Sequence, residues 1–159
     1  MPALLRTASD DVPRIVLDTN AVLDWLYFCV PRCATLADAV SSRRVRWIAS
    51  PAMRDEIERV IERGSLGDKW PDGAASVRDG WQRWATMVDA DAPVAPHSMR
   101  CSDSDDQKFI VLALDARAVA LVSADRAVLR LARRAIAWGL AITTVERWRI
   151  EPASVVGRA

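Results

Sequence analysis

The sequence predicts an α/β fold built on a mostly parallel sheet. Arg14-Ile15-Val16-Leu17-Asp18 is a continuous apolar run ending in a carboxylate, as suits a strand buried on both faces, and Ala21-Val22-Leu23-Asp24-Trp25-Leu26 then carries apolar residues at helical spacing. The same pattern returns at Ala120-Leu121-Val122-Ser123-Ala124-Asp125, again ending in a hydroxyl and a carboxylate. Between them strand-like and helical stretches alternate, which calls for parallel strands joined by right-handed crossovers. In open α/β sheets ligands gather outside the carboxyl ends of the strands, so acids at those corners are placed for chemistry. Their plainer reading is helix capping.

In order, the first strand is expected over residues 14–18 and its helix over about 20–29. Pro31 interrupts that helix and a second follows over about 32–42. Val45-Arg46-Trp47-Ile48-Ala49 reads as the next strand. Ser50-Pro51 then opens a helix, with Ser as N-cap and Pro at the first helical position, running to about Arg63 and stopping at Gly64. A loop over 66–73 leads to a helix of about 74–89, in which Trp81, Trp84 and Val88 recur at helical spacing. A short extended piece is expected near Pro93-Val94-Ala95, then a polar loop, a helix of about 105–117, a strand over 119–123 and a helix of about 126–138. Gly139 stops the last of these, Leu140-Ala141-Ile142-Thr143 gives a final strand, and a short helix is expected around Glu146-Arg147-Trp148.

The chain has 159 residues, 51% of them hydrophobic, enough for one domain with a real core. The expected organisation is a loose lead-in over residues 1–12, a single domain over 13–150 and a tail over 151–159. A net charge of +1 gives no global field towards nucleic acid or membrane. The basic residues are nevertheless lopsided: Lys69 and Lys108 are the only lysines, and the rest are arginines. Three cysteines, Cys29, Cys33 and Cys101, with no signal-peptide pattern point to reduced thiols and to the cytoplasm, and Cys29 and Cys33, four apart on a helical stretch, are expected as small core thiols. No apolar run approaches the roughly 20 residues of a membrane helix.

Acids concentrate at the places where strands end. Asp18 and Asp125 follow the two apolar runs, and Cys101-Ser102-Asp103-Ser104-Asp105-Asp106-Gln107-Lys108-Phe109 packs three aspartates at the mouth of a helix. Asp106 shares the inward side with Phe109 and Ile110, whereas Asp105 is turned about 100° away. Capping and the helix dipole account for one or two of these, with Asp103 as cap and Asp106 at N3, but not comfortably for three. Glu56 lies beside Ile57, Val60 and Ile61 on the helix after the second strand. Four carboxylates, Asp18, Glu56, Asp106 and Asp125, converging at one end of a sheet would repel one another unless a cation sits among them. Hard ions such as Mg²⁺ or Mn²⁺ take oxygen ligands. Two such ions about 4 Å apart can activate water against a phosphodiester. His97 is the only histidine, which favours metal-activated water over histidine-dependent hydrolysis.

At these residues the chain resembles the PIN-domain family, of the kind found as toxins in bacterial toxin–antitoxin pairs. Leu17-Asp18-Thr19-Asn20 resembles its first motif, and Ser50 to Ile61 the helix carrying its second acid, at Glu56. Asp103-Ser104-Asp105-Asp106-Gln107-Lys108-Phe109 is similar to a subgroup pattern Asp-x-Asp-Asp-Asn-Lys-Phe, in which Asp106 falls on the third acid, with Gln107 replacing Asn. Asp103 and Asp105 remain alternatives for that position. Leu121-Val122-Ser123-Ala124-Asp125 resembles the Thr-x-Asp motif of the fourth acid, with Ser123 for Thr. The likeness spans residues 14–148. It implies a three-layer α/β/α sandwich and a Mg²⁺- or Mn²⁺-dependent ribonuclease cutting single-stranded RNA. In that reading Asn20, Ser123, Asp103 and Asp105 support the four acids, and the protein is often dimeric and held by a cognate antitoxin.

Other classes fit less well. A haloacid-dehalogenase-type phosphatase needs an acid where Asn20 stands, a P-loop enzyme needs a Gly-rich loop ending in Lys, and a receiver domain needs a lysine beyond a late strand. The rival from another class is a non-catalytic PIN-like module that binds RNA or a protein. Two surfaces bear on partners. Arg126, Arg130, Arg133 and Arg134 recur at helical spacing after Asp125 and are candidates to guide RNA phosphates, solvated helix-face charge being the alternative. Trp25, Leu26, Tyr27, Phe28 and Val30 offer more apolar surface than one buried face needs, so part of it is expected in a homodimer or antitoxin interface.

Overall fold

A computed structural model describes residues 12–89 and 95–150. Five strands form one all-parallel sheet: β1 (Arg14–Leu17), β2 (Arg46–Ala49), β3 (Ala85–Met87), β4 (Ala120–Val122) and β5 (Ala141–Thr143), in the order β3-β2-β1-β4-β5. Ile15 is in register with Trp47 on one side and Ala120 on the other. Consecutive residues of β1, β2 and β4 are buried, so both faces of the central sheet are covered. This is the expected α/β fold in three layers. The chain winds outward from β1 through β2 to β3, then returns to build β4 and β5 on the other side. The reversal puts a topological switch point between β1 and β4.

Among the described residues seven α-helices accompany the strands: α1 (Thr19–Val22), α2 (Ala34–Ser41), α3 (Pro51–Glu62), α4 (Gly73–Trp84), α5 (Gln107–Asp115), α6 (Arg126–Leu129) and α7 (Ala132–Ala135). Ser50 caps α3 as expected, its hydroxyl accepting from the Met53 N–H, with Pro51 at the first position and Gly64 closing the end at φ 68°. The helix after β1 is α-helical for one turn and then widens into a π-helix over Leu23–Tyr27. Wide turns of this kind are frequent at functional sites.

Four expectations need correction. The segment 74–89 is not one helix: α4 ends at Trp84 and the next three residues pair with β2 as edge strand β3. The helix expected over 126–138 breaks at Arg130 and Leu131 and finishes as a 3₁₀ turn over Ile136–Trp138. In place of the short helix expected around 146–148 there is a turn over residues 145–147. Cys29 is exposed with φ 51°, whereas Cys33 and Cys101 are buried; all three thiols are free. The extended piece expected near Pro93-Val94-Ala95 falls almost wholly outside the described residues, as do most of the lead-in and all of the tail.

Most of the aromatic stretch, part of which is expected at an interface, packs within the chain. Trp25 packs against Trp47 and stacks on Trp84 at 5.3 Å, and Trp47 meets Trp81 edge-on. Helix α4 comes close enough for this because of two glycines: a Cβ at Gly73 would lie 2.6 Å from the Tyr27 ring, and one at Gly80 2.7 Å from Leu26. Phe28 and Val30 pack partly buried against the same core. Exposed apolar surface remains beside it at Trp70, which meets Phe28 edge-on, and lies elsewhere at Met87, Val119, Ile136 and Trp138. No described helix is long and apolar enough to cross a membrane.

Candidate active site

Among the described residues three polar or charged side chains are buried: Asp18, Ser50 and Ser123. Each directly follows a strand, at the carboxyl ends of β1, β2 and β4. The sheet thus collects its buried polarity at one end, around the switch point.

Asp18 stands at the N-cap position of α1 but its side chain does not cap the helix. Its backbone N–H donates to Val122 O at 2.9 Å, extending the β1–β4 ladder by one residue. That step sets its carboxylate opposite Ser123, whose hydroxyl donates to Asp18 Oδ2 at 2.6 Å. The same hydroxyl accepts from the Asp125 N–H at 3.0 Å, so Ser123 links the first and last acidic motifs. Burial pushes the Asp18 carboxyl above its ordinary range; the Ser123 hydroxyl and the backbone N–H of Asn20 oppose the rise, and the charges of Glu56 and Asp125 add to it.

The second group of acids is supplied by the segment before α5. Asp103 caps the 3₁₀ turn over Ser104–Asp106, accepting from the Asp105 N–H at 3.0 Å rather than from residue N3. Asp105 is exposed, and Asp106 faces inward with its Oδ2 fully buried and without a hydrogen-bond partner. Burial, followed by the charges of Asp18, Asp125 and Asp103, lifts the Asp106 carboxyl to about 7. Gln107 holds the segment in place: its Nε2 donates to Met99 O at 3.1 Å and its Oε1 accepts from the Cys101 N–H. Asp125 caps α6 through Oδ1, which accepts from the Ala127 N–H at 2.7 Å. Oxygen atoms of Asp103, Asp106 and Asp125 lie within 4.8 Å of one another.

Glu56 is not in this close group. Its Oε1 pairs with Lys108 Nζ at 2.7 Å, and its Oε2 accepts a hydrogen bond from the Thr19 hydroxyl. Asn20 is exposed on α1. Arg126, Arg130, Arg133 and Arg134 are all exposed beyond Asp125, and none forms an ion pair with a described residue. The contacts of Thr19 and Lys108 are what the sequence reading missed. The one visible signal was a lysine, in a chain with only two of them, set in a run of aspartates.

The donor set at this corner is all oxygen and strongly anionic, and one buried carboxylate oxygen is unsatisfied. Such a set fits a hard divalent cation held by Asp106 and Asp125, with Asp103 and Asp18 alongside.

A family model described as PIN domain matches residues 14–127. No curated protein matches the chain in sequence. Among solved structures, one chain of VapBC2 from Rickettsia felis, crystallised bound to a DNA fragment from their promoter, has a TM-score of 0.56. It is 10% identical in sequence, and the match covers 81% of this chain and 96% of that one. At that identity the likeness is one of fold.

Proposed function

We propose that this chain, which belongs to the PIN-domain family, is a divalent-metal-dependent endoribonuclease that cuts single-stranded RNA, and that it is the toxin of a toxin–antitoxin pair. The observation that carries the nuclease reading is the orphaned, buried oxygen of Asp106 among the carboxylates of Asp18, Asp103 and Asp125. Burying a carboxylate among like charges is costly unless a cation repays it. Bound Mg²⁺ or Mn²⁺ would supply charge stabilisation and a water acidic enough to attack a phosphodiester near neutral pH. Asp106 and Asp125 would hold the ion, Asp103 would complete the close group, and Ser123 would fix the Asp18 carboxylate beside them. The exposed guanidiniums of Arg126, Arg130 and Arg133 would guide the RNA backbone towards Asp125. The partner reading draws support from the fold likeness to a chain of the VapBC2 complex.

The test is cleavage of a labelled single-stranded RNA by the purified protein with Mn²⁺ and with EDTA, next to duplex RNA and single-stranded DNA. Endonucleolytic products that need Mn²⁺ and single strands are expected. Binding of RNA with no EDTA-sensitive cleavage would leave the non-catalytic module as the right reading. Co-expression with a candidate antitoxin, a small protein encoded by an adjacent gene, should give a stable complex with suppressed cleavage.

A further inference from the structure

Glu56 is the one predicted site acid that has a countercharge of its own. Lys108 Nζ sits 2.7 Å from its Oε1, also donates to the Asp105 carbonyl, and lies 5.0 Å over the Phe109 ring. Both partners are mostly shielded, with side-chain exposures of 24% for Lys108 and 21% for Glu56. Lys108 occupies the first turn of α5, where the helix dipole disfavours a cation. Its place there is therefore not explained by helix stability. An ammonium is a compact point charge that can serve one carboxylate oxygen and one carbonyl at once, which the planar fork of arginine does less readily. Thr19, one residue beyond Asp18, holds the other oxygen of Glu56.

We propose that Lys108 is a positioning residue that keeps Glu56 apart from the Asp103, Asp106 and Asp125 group, and so sets how many carboxylates a cation meets at this end of the sheet. With the ammonium in place, Glu56 is neutralised at the rim. Without it, Glu56 stands uncompensated beside Asp18, adding repulsion in the metal-free protein and a further ligand in the metal-bound one. The part concerning the cation rests on the nuclease reading; the part concerning repulsion does not.

Four proteins decide it: wild type, Lys108→Met, Glu56→Gln and the double variant, compared by melting in EDTA and by calorimetric titration with Mn²⁺. Lys108→Met should lower the melting temperature in EDTA by about 3–6 °C, and adding Glu56→Gln should restore most of that loss. Lys108→Met should also tighten Mn²⁺ binding by roughly 5- to 10-fold, and do so much less in the Glu56→Gln background. A loss in EDTA that Glu56→Gln leaves undiminished would reduce Lys108 to packing on Phe109 and overturn the proposal, as would melting curves and Mn²⁺ affinities that Lys108→Met does not move. If Lys108→Met cannot be purified folded, a folded double variant supports the proposal and an unfolded one overturns it. Rescue in EDTA with no Mn²⁺ binding by any of the four would keep the positioning role and sink the cation reading instead.

Discussion

Each of the three inner strands is preceded by an apolar residue and followed by a polar one, although β1 and β2 themselves open on Arg14 and Arg46. Pro13, Val45 and Val119 precede β1, β2 and β4, and Asp18, Ser50 and Ser123 follow them. At the amino ends an open cleft of about 570 Å³ is lined by Val119, Ile136, Leu140 and Trp148 among others. At the carboxyl ends Asp125 caps the helix after β4, and Asp103 caps the 3₁₀ turn that leads into α5, each accepting from a backbone N–H. One end thus carries apolar packing, part of it open to solvent at Val119 and Ile136. The other holds carboxylates raised above their ordinary range, Asp106 to about 7, and would gain stability by losing a charge. A parallel sheet separates these requirements by its length, so that repulsion at one end does not have to be accommodated in the apolar packing of the other.

The sharpest way to break the contrast is to remove one charge while keeping its shape. Asp125→Asn should cut Mn²⁺-dependent RNA cleavage by about 10²- to 10³-fold, the usual penalty for deleting one electrostatic partner of a transition state. Asn caps nearly as well as Asp, so the contact to the Ala127 N–H survives and the melting temperature in EDTA should hold or rise. Mn²⁺ should shift the melting of this variant much less than that of the wild type. Equal shifts would mean that the carboxyl end binds no cation through Asp125.

At the amino end the pattern should reverse. Leu140 is almost fully buried, and Leu140→Ala should cost about 2–4 kcal/mol in urea unfolding while leaving the Mn²⁺-induced shift at its wild-type size. A lost shift would show that the two ends are coupled.

A smaller effect follows from Asp106. Because its carboxyl titrates near 7 in the folded chain against an ordinary 3.8, the folded state binds a proton more tightly than the unfolded one. Its contribution is therefore present in full below about pH 4 and is lost as pH rises through 7. Asp106→Asn should remove that decline and leave the metal-free variant more stable at pH 8 by about 1 kcal/mol after solvent screening. Denaturant melts at pH 5 and pH 8 in EDTA measure it; wild type and variant changing in parallel would mean that Asp106 is not the group responsible.

The smallest change is expected from the exposed arginines. Arg130→Ala with Arg133→Ala should reduce the salt slope of RNA binding by about 1–2 and leave unfolding unchanged. Unaltered affinity and slope would assign these residues to the solvated surface.

Much of this was readable in the sequence, and the misses have physical causes. β1 and β4 were visible because an apolar run closed by a polar residue marks a strand buried on both faces. Strand β3 was not: Ala85-Thr86-Met87 is three residues long, mostly exposed at an edge, and bracketed by Trp84 and Val88 at helical spacing from Trp81. The break at Arg130 and Leu131 has neither Gly nor Pro to announce it. The surplus of apolar residues over 25–30 suggested an outside partner because a sequence does not reveal that Gly73 and Gly80 admit another helix to cover them. In the acidic corner, spacing distinguished inward Asp106 from outward Asp105, but could not reveal that Glu56 is matched by Lys108, 52 residues away.

The bond from Ser123 to Asp18 joins residues 105 positions apart, and this separation governs when the acidic corner can exist. Long-range pairings of this kind form slowly, after loop closure has been met, and β4 cannot dock beside β1 until the whole excursion through β2 and β3 has been made. During translation, a ribosome that has released β1, β2 and β3 has released only the first of the three clustered motifs and the helix bearing Glu56. The acids can meet only once the chain extends through Asp125, so a nascent chain that has not reached β4 carries no completed site. Fraying of β4 from β1 would disassemble the same corner, tying whatever it does to the integrity of the fold.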